Sequence, residues 1–339
     1  MFCCPDCFVD KFLQLEIRSL SSVQGKCEFC GKTSDSLIDP VKLTDRFGPL
    51  LDLYVLDPSG SNLLVLLQND WNIFQPFSKT KQENLLLQVS GGRYNVRQYY
   101  STRFLKDKSN LEKWNKFREE LKHNNRFFPT NAPDIDHLKP FGSYIGQKNL
   151  KGSMKLFRAR INNNNTPFPC NKMRKPPKDK TTNGRANPFG ISYLYVASDP
   201  DTAISEIRPN KSEKVTVAEF KINSTLELAD LRDPKSSISP FQLNDEIELE
   251  LIYKNLPYLS MLGNELSKPI IPQEVNLEYL PSQYLCEIFK HLGFHGIIYK
   301  SSVGKGSNYV IFNDNKLSIE NCYQFEVTDT KIISRKLRI

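Results

Sequence analysis

The sequence predicts an α+β protein, because amphipathic helical segments mark its first half and short strand-like segments alternate with helices in its second half. Leu111, Trp114, Phe117 and Leu121 recur at three- and four-residue spacing, which predicts a helix with one buried face. The segment 191–197 is rich in aromatic and β-branched residues, which predicts a strand. A length of 339 residues accommodates two compact domains and a smaller module.

The composition is that of an ordinary globular chain. Hydrophobic residues make up 39% and charged residues 25%, which is typical of folded domains rather than disordered segments. Every apolar run is shorter than the roughly 18 residues of a membrane-spanning helix, and the first residues do not resemble a secretion signal. We therefore expect a cytoplasmic protein without a membrane partner. The net charge of +8 favours anionic partners such as nucleotides, phosphates or nucleic acid, without choosing among them.

Five of the eight cysteines fall within the first 30 residues. Cys4 and Cys7 form one C-x-x-C pair, and Cys27 and Cys30 form a second pair after an interval of nineteen residues. Two such pairs are typical of a tetrahedral zinc site. Four thiolates from the protein fill all four positions around the metal and leave none open for catalysis. We therefore predict a structural zinc module over residues 1–40. The alternative is four unrelated buried thiols, and Cys3 leaves open which of two neighbours is the ligand.

The remainder of the chain predicts two further domains. Residues 41–140 carry the helical segments, and the turn-rich stretch at 124–140 predicts a boundary near residue 140. Residues 141–339 predict a mixed domain whose strands and helices are separated by a long polar loop at 162–183. Its predicted strands lie at 156–161, 191–197, 215–222, 296–302 and 309–312, and its predicted helices at 202–207 and 281–291.

Residues able to handle a dinucleotide concentrate between positions 156 and 209. An arginine fork suits a pyrophosphate, an aromatic ring can stack on nicotinamide or adenine, and a carboxylate can hold a ribose hydroxyl beside a developing cation. Arg185 lies in a glycine-flanked turn, Tyr195 ends a predicted strand, and Glu206 falls within a predicted helix. The alternative makes Arg185 a surface turn residue, Tyr195 a core residue and Glu206 a solvated helix position.

The segment 184–209, Gly-Arg-Ala-Asn-Pro-Phe-Gly-Ile-Ser-Tyr-Leu-Tyr-Val-Ala-Ser-Asp-Pro-Asp-Thr-Ala-Ile-Ser-Glu-Ile-Arg-Pro, resembles the signature of the RES domain family. The resemblance extends upstream to Leu-Phe-Arg-Ala-Arg at 156–160 and downstream to Gly-Phe-His-Gly-Ile-Ile-Tyr-Lys-Ser-Ser at 293–302. RES domains are toxins of bacterial toxin–antitoxin pairs that destroy NAD, and their fold is related to that of ADP-ribosyltransferases. The resemblance therefore implies NAD as substrate and a cognate antitoxin as partner.

The resemblance also implies which residues act. The family arginine, tyrosine, glutamate and serine correspond to Arg185, Tyr195, Glu206 and Ser301, with the neighbouring Ser302 as an alternative for the serine. We expect Glu206 to stabilise a ribosyl cation and Tyr195 to pack against nicotinamide or ribose. Four residues are expected to contribute to NAD binding: Arg158, Arg160, Tyr193 and Ser302. The expected reaction is cleavage of the nicotinamide–ribose bond, with transfer of ADP-ribose to water or phosphate and without a catalytic metal.

The first half of the chain resembles the extension, of a HEPN/RES N-terminal type, that precedes some RES domains. HEPN ribonucleases use an arginine and a histidine on one helix, and Arg118 and His123 have such spacing. We interpret this pair as a solvated helix face. Two other functions stay open: an ADP-ribosyltransferase that modifies a protein or nucleotide, and a nucleic-acid-binding zinc protein whose cleft is inactive. The sequence also leaves open whether the chain forms a homo-oligomer.

Overall fold

A computed structural model describes residues 1–95, 97–106, 108–150, 154–243 and 245–330. Its helices are α1 (Lys11–Leu20), α2 (Thr44–Leu51), α3 (Leu63–Trp71), α4 (Lys79–Val89), α5 (Ser109–His123), α6 (Ile135–Ile145), α7 (Pro200–Glu206), α8 (Pro234–Ser237), α9 (Glu246–Ser267) and α10 (Val275–His291). Its strands are β1 (Val23–Lys26), β2 (Thr33–Leu37), β3 (Tyr54–Asn62), β4 (Tyr99–Thr102), β5 (Gly146–Leu150), β6 (Lys155–Ile161), β7 (Leu194–Ala197), β8 (Lys214–Ile222), β9 (Leu226–Asp230), β10 (Gly296–Lys300), β11 (Ser307–Ile311) and β12 (Leu317–Glu326).

The chain divides into two units, and each contains segments from distant parts of the sequence. Unit 1 comprises Met1–Leu111 and Asp233–Ser260, and unit 2 comprises Glu112–Arg232 and Met261–Ile339. The three-domain division at residues 40 and 140 stays a prediction. Among the helices of the described ranges, none combines the length and the apolar character that a membrane crossing requires.

Unit 1 packs helices around an aromatic core and carries two small antiparallel sheets, β1 with β2 and β3 with β4. The ring of Phe8 lies 6.1 Å from that of Phe47 and 5.7 Å from that of Phe74, and Phe241 packs 4.9 Å from Phe47. Ring centroids at these distances contribute stability beyond the area that they bury. Phe8 directly follows Cys7, so the cysteine-bearing segment is joined to this core.

The four cysteines of the two C-x-x-C pairs come together in unit 1. Their sulfur atoms all lie within 4.8 Å of one another, with 3.4 Å between Cys4 and Cys30 and 3.4 Å between Cys7 and Cys27. Zinc–sulfur bonds of about 2.3 Å in a tetrahedron place the sulfurs ~3.8 Å apart, so this set fits a zinc ion. Cys3 is outside the group and instead pairs its backbone with Ile38. The predicted clustering of the four cysteines is therefore confirmed.

Unit 2 is built on an eight-stranded sheet with the order β12-β8-β6-β7-β11-β10-β9-β5. Neighbouring strands are antiparallel, apart from the parallel pair β9 and β10. Leu194, Phe220 and Ile298 belong to the core on one face, while Ala197, Ala203 and Val217 form a core beneath α7 on the other. The predicted mixed α+β architecture is confirmed, with a sheet of eight strands.

Several helices and strands begin at residues other than the predicted ones. The strand expected at 191–197 begins only at Leu194, because the chain first leaves a turn through Gly190, whose φ is +79°. The helix expected from residue 281 begins six residues earlier at Val275, with Pro281 inside it. Cys170 and Cys322, which appear isolated in the sequence, are joined by a disulfide that links a short 3-10 turn to β12.

Arg118 of α5 is part of a partly buried ion network in unit 2. Its guanidinium lies 3.2 Å from Glu265 and 3.4 Å from Glu278, and Lys268 lies 2.7 Å and 2.8 Å from the same two carboxylates. Burial raises the pKa of Glu278, but the hydrogen bonds from Lys122 and Lys268 outweigh it and lower this pKa to about 2. His123 is exposed and 3.9 Å from Glu119. Arg118 is therefore half-buried and only His123 is exposed, so the pair does not form the solvated helix face that we expected.

We expect the purified protein to contain about one zinc ion per chain, held by Cys4, Cys7, Cys27 and Cys30. Cys27→Ser should remove the metal and lower the melting temperature, because a structural zinc contributes directly to folding. Elemental analysis together with thermal unfolding measures both effects.

Cys3→Ala is the matched control, since Cys3 is equally buried but lies outside the group. This variant should keep its zinc. A folded wild-type protein that is metal-free and equally stable would contradict the prediction, and so would zinc that depends on Cys3 rather than on Cys4.

Candidate active site

A cleft of about 170 Å³ lies in unit 2 and is lined by residues of β6, β7, β10, β11 and the short helix α7. It is lined by Phe157, Arg158, Ala159, Tyr195, Val196, Ala197, Ala203, Glu206, Ile207, Tyr299 and Asn308. Three residues singled out in the sequence, Arg158, Tyr195 and Glu206, thus share one cavity.

The pairing of β6 with β7 explains where the cleft opens. These neighbours in the sheet pair only at Phe157 and Ala197 within the described residues, whereas β6 and β8 pair along seven successive positions from Lys155 to Ile161. Elsewhere along their described residues, β6 and β7 are not paired by backbone hydrogen bonds. Side chains from both strands therefore line a cavity between them.

Glu206 is delivered by α7, whose start is fixed by side-chain capping. Asp199 accepts hydrogen bonds from the backbone N–H of Thr202 at 2.8 Å and from its hydroxyl at 2.9 Å, and Pro200 occupies the first helical turn. Glu206 is the last residue of this helix. Its Oε1 accepts one hydrogen bond from Ser301 Oγ at 2.6 Å and one from Asn308 Nδ2 at 2.6 Å.

The loop that carries Ser301 packs directly against the start of α7. The N–H of Gly306 donates to Thr202 Oγ1 at 3.0 Å, and the N–H of Ser307 donates to Ser198 Oγ at 3.0 Å. A Cβ atom at Gly306 would lie 2.2 Å from Asp199 Oδ2, and one at Gly304 would lie 2.9 Å from the Thr202 side chain. The loop therefore needs glycine at both positions for steric reasons.

Tyr195 presents its ring to the cleft and uses its hydroxyl elsewhere. The hydroxyl donates to Asn187 Oδ1 at 2.6 Å and accepts from the N–H of Ala186 at 2.9 Å, both in the turn that carries Arg185. Burial raises the pKa of Tyr195 well above its ordinary value, and the nearby Tyr299 acts in the same direction. The hydroxyl is thus a neutral anchor for the turn.

The turn at 184–190 is also held by α10. Ser282 Oγ donates to the carbonyl of Arg185 at 2.6 Å, and Gln283 Nε2 donates to the carbonyls of Gly184 at 2.8 Å and Asn187 at 3.1 Å. These bonds satisfy main-chain carbonyls in a segment without regular secondary structure. The turn is accordingly fixed from both β7 and α10.

Arg185 is near the cleft but does not line it. Its Nη1 donates to the carbonyl of Lys268 at 3.0 Å, and its guanidinium carbon lies 5.5 Å from the centre of the Tyr279 ring. Burial and the charge of Glu206 raise the pKa of Tyr299, whereas the charge of Arg185 lowers it, with a net increase. Tyr299 therefore lies within electrostatic reach of both Glu206 and Arg185.

The two arginines of β6 have different surroundings. Arg158 lines the cleft and donates to the carbonyl of Arg174 at 3.1 Å. Burial lowers the pKa of Arg158 to about 10, and the charge of Arg160 acts in the same direction, so the guanidinium stays protonated near neutral pH. Arg160 donates to the carbonyl of Lys172 at 3.0 Å and stacks 3.8 Å above the Phe168 ring, outside the cleft lining.

Two other expected NAD-binding residues lie away from the cleft lining. Tyr193 is buried, with its ring 4.9 Å from that of Phe312, and Ser302 is exposed beside Ser301. Between the two serines, Ser301 is the one that contacts Glu206. This contact supports Ser301 as the family serine, and the roles of all these residues stay predictions.

Sequence reasoning missed two cleft residues with polar side chains, Tyr299 and Asn308. They are paired across β10 and β11 in the antiparallel register, so their side chains are directly opposite each other. Tyr299 falls inside the downstream segment that resembles the family, two residues before Ser301, which is a signal that could have identified it. Asn308 follows Ser301 by seven residues and becomes recognisable only through the pairing register.

One sequence family matches the part of the chain that contains the cleft. The sequence profile of the RES domain family matches residues 155–322. The structure is similar, at a TM-score of 0.35 and 10% sequence identity, to the crystal structure of the MbcT–MbcA toxin–antitoxin complex of M. tuberculosis, over 57% of this chain and 94% of that chain. No curated protein matches the chain.

The family match does not include the cysteine cluster or α1 to α6, so the resemblance of the first half to a HEPN/RES-type extension stays a prediction. All the residues that line the cleft fall inside the matched range. Residues 155–322 of this chain therefore form a RES domain.

Proposed function

We propose that this protein cleaves the bond between nicotinamide and ribose in NAD, as the resemblance to RES toxins implies. The observation that carries the proposal is the Glu206 carboxylate at the rim of the cleft, held by the two uncharged donors Ser301 and Asn308. Neither donor is a cation, so the hydrogen bonds that hold Glu206 place no positive charge on it that would oppose its attraction for a positive centre.

The proposed reaction begins with loss of nicotinamide. The bond between the nicotinamide nitrogen and ribose C1′ breaks, and its electron pair leaves with the pyridinium ring, which becomes neutral. Positive charge then develops on the ribose as an oxocarbenium ion, which water or phosphate attacks at C1′ to give ADP-ribose or its phosphate ester. Water loses one proton in this step. A carboxylate beside C1′ stabilises the developing cation more than the ground state, which is the condition for lowering the barrier.

The remaining cleft residues have complementary roles in the proposal. The ring of Tyr195 forms a wall against which nicotinamide or ribose packs, and the protonated Arg158 attracts a phosphate oxygen. Arg185, whose charge reaches Tyr299 of the cleft, offers a second guanidinium in the proposal. Tyr193, Arg160 and Ser302 line no part of the described cleft, so any NAD contact of theirs would involve a part of NAD outside it.

The size of the cavity restricts what it encloses. Pockets that enclose a drug-sized ligand commonly measure roughly 300–1,000 Å³, and this cleft measures about 170 Å³. We infer that it takes the nicotinamide riboside end of NAD, while the adenosine end lies outside it. In this proposal the zinc ion at the four cysteines is structural, the protein acts in the cytoplasm, and an antitoxin controls it.

We expect purified protein to convert NAD to nicotinamide and an ADP-ribose product. Incubation with and without phosphate, followed by mass spectrometry, distinguishes free ADP-ribose from its phosphate ester. ADP-ribose attached to a protein or nucleotide would indicate the transferase alternative. Intact NAD under all these conditions, with folded zinc-loaded protein, would contradict the proposed function.

Glu206→Gln should lower single-turnover nicotinamide release by about 100- to 1,000-fold, the effect typical of removing one group that stabilises a transition state. Glutamine keeps the size and one acceptor oxygen, so NAD binding measured by calorimetry should change little. Asp201→Asn is the matched control, because Asp201 is an exposed carboxylate on the same helix. Near-wild-type turnover in Glu206→Gln would mean that another group stabilises the cation.

The two arginines of β6 offer a paired comparison. Arg158→Gln should raise KM for NAD by about ten- to a hundredfold, because a hydrogen bond to a charged phosphate contributes roughly 1.5–3 kcal/mol. Arg160→Gln should leave KM within about threefold of wild type, since its guanidinium is stacked on Phe168. Steady-state kinetics at several salt concentrations measures both. The opposite ranking would assign the phosphate contact to Arg160.

A further inference from the structure

The Glu206 carboxylate is oriented through one of its two oxygens. Oε1 accepts from Ser301 Oγ and from Asn308 Nδ2, each at 2.6 Å. No hydrogen bond to Oε2 is seen among the residues that the structure describes. The side chains that orient the carboxylate therefore contact one oxygen and leave Oε2 without a hydrogen bond from the described residues.

The direction of the Ser301 hydrogen bond is determined by its surroundings. Ser301 Oγ accepts from the N–H of Gly304 at 2.7 Å and from the N–H of Val303 at 3.2 Å. A hydroxyl has two acceptor positions and one proton, so its proton is available for Glu206. This donor is supplied by the loop, however, and it fixes Glu206 from one side only.

Asn308 supplies the second donor from the sheet. It is buried on β11, opposite Ala197 of β7 and Tyr299 of β10, so strands on both sides hold its backbone. Glu206 itself is exposed at the end of a seven-residue helix, where a free glutamate side chain would retain much of its rotamer freedom. An amide at this position restricts that freedom without adding a charge.

The neutrality of this donor has a chemical reason. A lysine or arginine at the same distance would hold the carboxylate as firmly, but its positive charge would offset the field that a developing cation requires. The groups that face the cleft beside Glu206 are Arg158 from β6, Tyr195 from β7 and Tyr299 from β10. None of these three side chains forms a hydrogen bond with Glu206 within the described residues.

We propose that Asn308 is a positioning residue for the reaction, one that fixes the Glu206 carboxylate through Oε1 so that Oε2 meets the ribose. The inference rests on the proposed function, because it assigns to Asn308 the placement of the group that stabilises the ribosyl cation. Asn308 acts through Glu206.

Asn308→Ala should lower kcat about ten- to a hundredfold, since hydrogen bonds to charged groups contribute roughly 1.5–3 kcal/mol, and it should leave KM nearly unchanged. In a Glu206→Gln background the same substitution should have almost no further effect, because the two side chains act as a unit. Independent, multiplicative losses in kcat would overturn the positioning role.

Asn308→Asp provides a readout that a purely structural residue would not give. The introduced carboxyl lies beside Glu206, and two carboxylates that share a site cannot both ionise readily, so the second ionisation of the pair moves to higher pH. While the pair keeps one proton, the introduced carboxyl donates it to Glu206 and replaces the lost amide donor. We therefore expect kcat to be near wild type at low pH and to fall on an alkaline limb that the wild type lacks.

Asn321→Asp is the matched control, because Asn321 Nδ2 donates to Glu219 Oε1 at 3.4 Å outside the cleft. It should keep the wild-type pH profile. Thermal unfolding of each variant establishes that it is folded, and Asn308→Ser replaces the alanine variant if that one is not.

The outcomes separate the two proposals. Wild-type protein that leaves NAD intact overturns the proposed function itself. Wild-type protein that cleaves NAD, together with an Asn308→Asp variant whose pH profile is unchanged, overturns the role of Asn308 alone.

Discussion

The single backbone pairing between β6 and β7, at Phe157 and Ala197, is the constraint on which the candidate active site depends. A sheet that paired along the full length of both strands would have no room for a ligand between them. Instead, β6 pairs continuously with β8, and β7 pairs continuously with β11. The cleft lies where β6 and β7 are not paired with each other. The buried alanines beneath α7 allow that helix to approach the sheet closely. Glu206 is thereby brought to the rim of the cleft.

The cleft is lined by one cationic side chain, Arg158, and one anionic side chain, Glu206, among the described residues. Arg158 reaches the cleft from β6, and its partner there is a main-chain carbonyl rather than a carboxylate. Glu206 is held by a hydroxyl and an amide. The acidic partners of unit 2 are engaged elsewhere, with Glu265 and Glu278 paired to Arg118 and Lys268. Neither Arg158 nor Glu206 is therefore hydrogen-bonded to a side chain of opposite charge among the described residues.

The sequence predicted those parts of the molecule whose residues are close together along the chain. The two C-x-x-C pairs identify the cysteine cluster, and the order of Arg185, Tyr195 and Glu206 identifies the region of the cleft. The alternating pattern of 215–222 identifies β8. Each of these signals is local, because a turn, a strand or one helical turn positions the residues concerned.

The features that the sequence did not predict depend on distant pairing or on ambiguous local signals. Asn308 reaches Glu206 only through the register of β11 against β7 and β10. The long helix α9 begins with Glu-Ile-Glu-Leu-Glu-Leu, an alternation typical of a strand, yet Leu249, Ile252 and Leu256 are buried at helical spacing. Pro281 suggests the first turn of a helix, although α10 begins six residues before it. The contribution of residues 233–260 to unit 1 has no local signal at all.

The close packing of Gly304 and Gly306 against Thr202 and Asp199 makes the site sensitive to changes at positions outside the cleft lining. An alanine at either position would force the loop and the start of α7 apart, and Ser301 would move with the loop. Such a change adds a single methyl group at a half-buried position and alters no functional group. Substitutions at Gly304 or Gly306 can therefore separate Ser301 from Glu206 without changing any residue that lines the cleft.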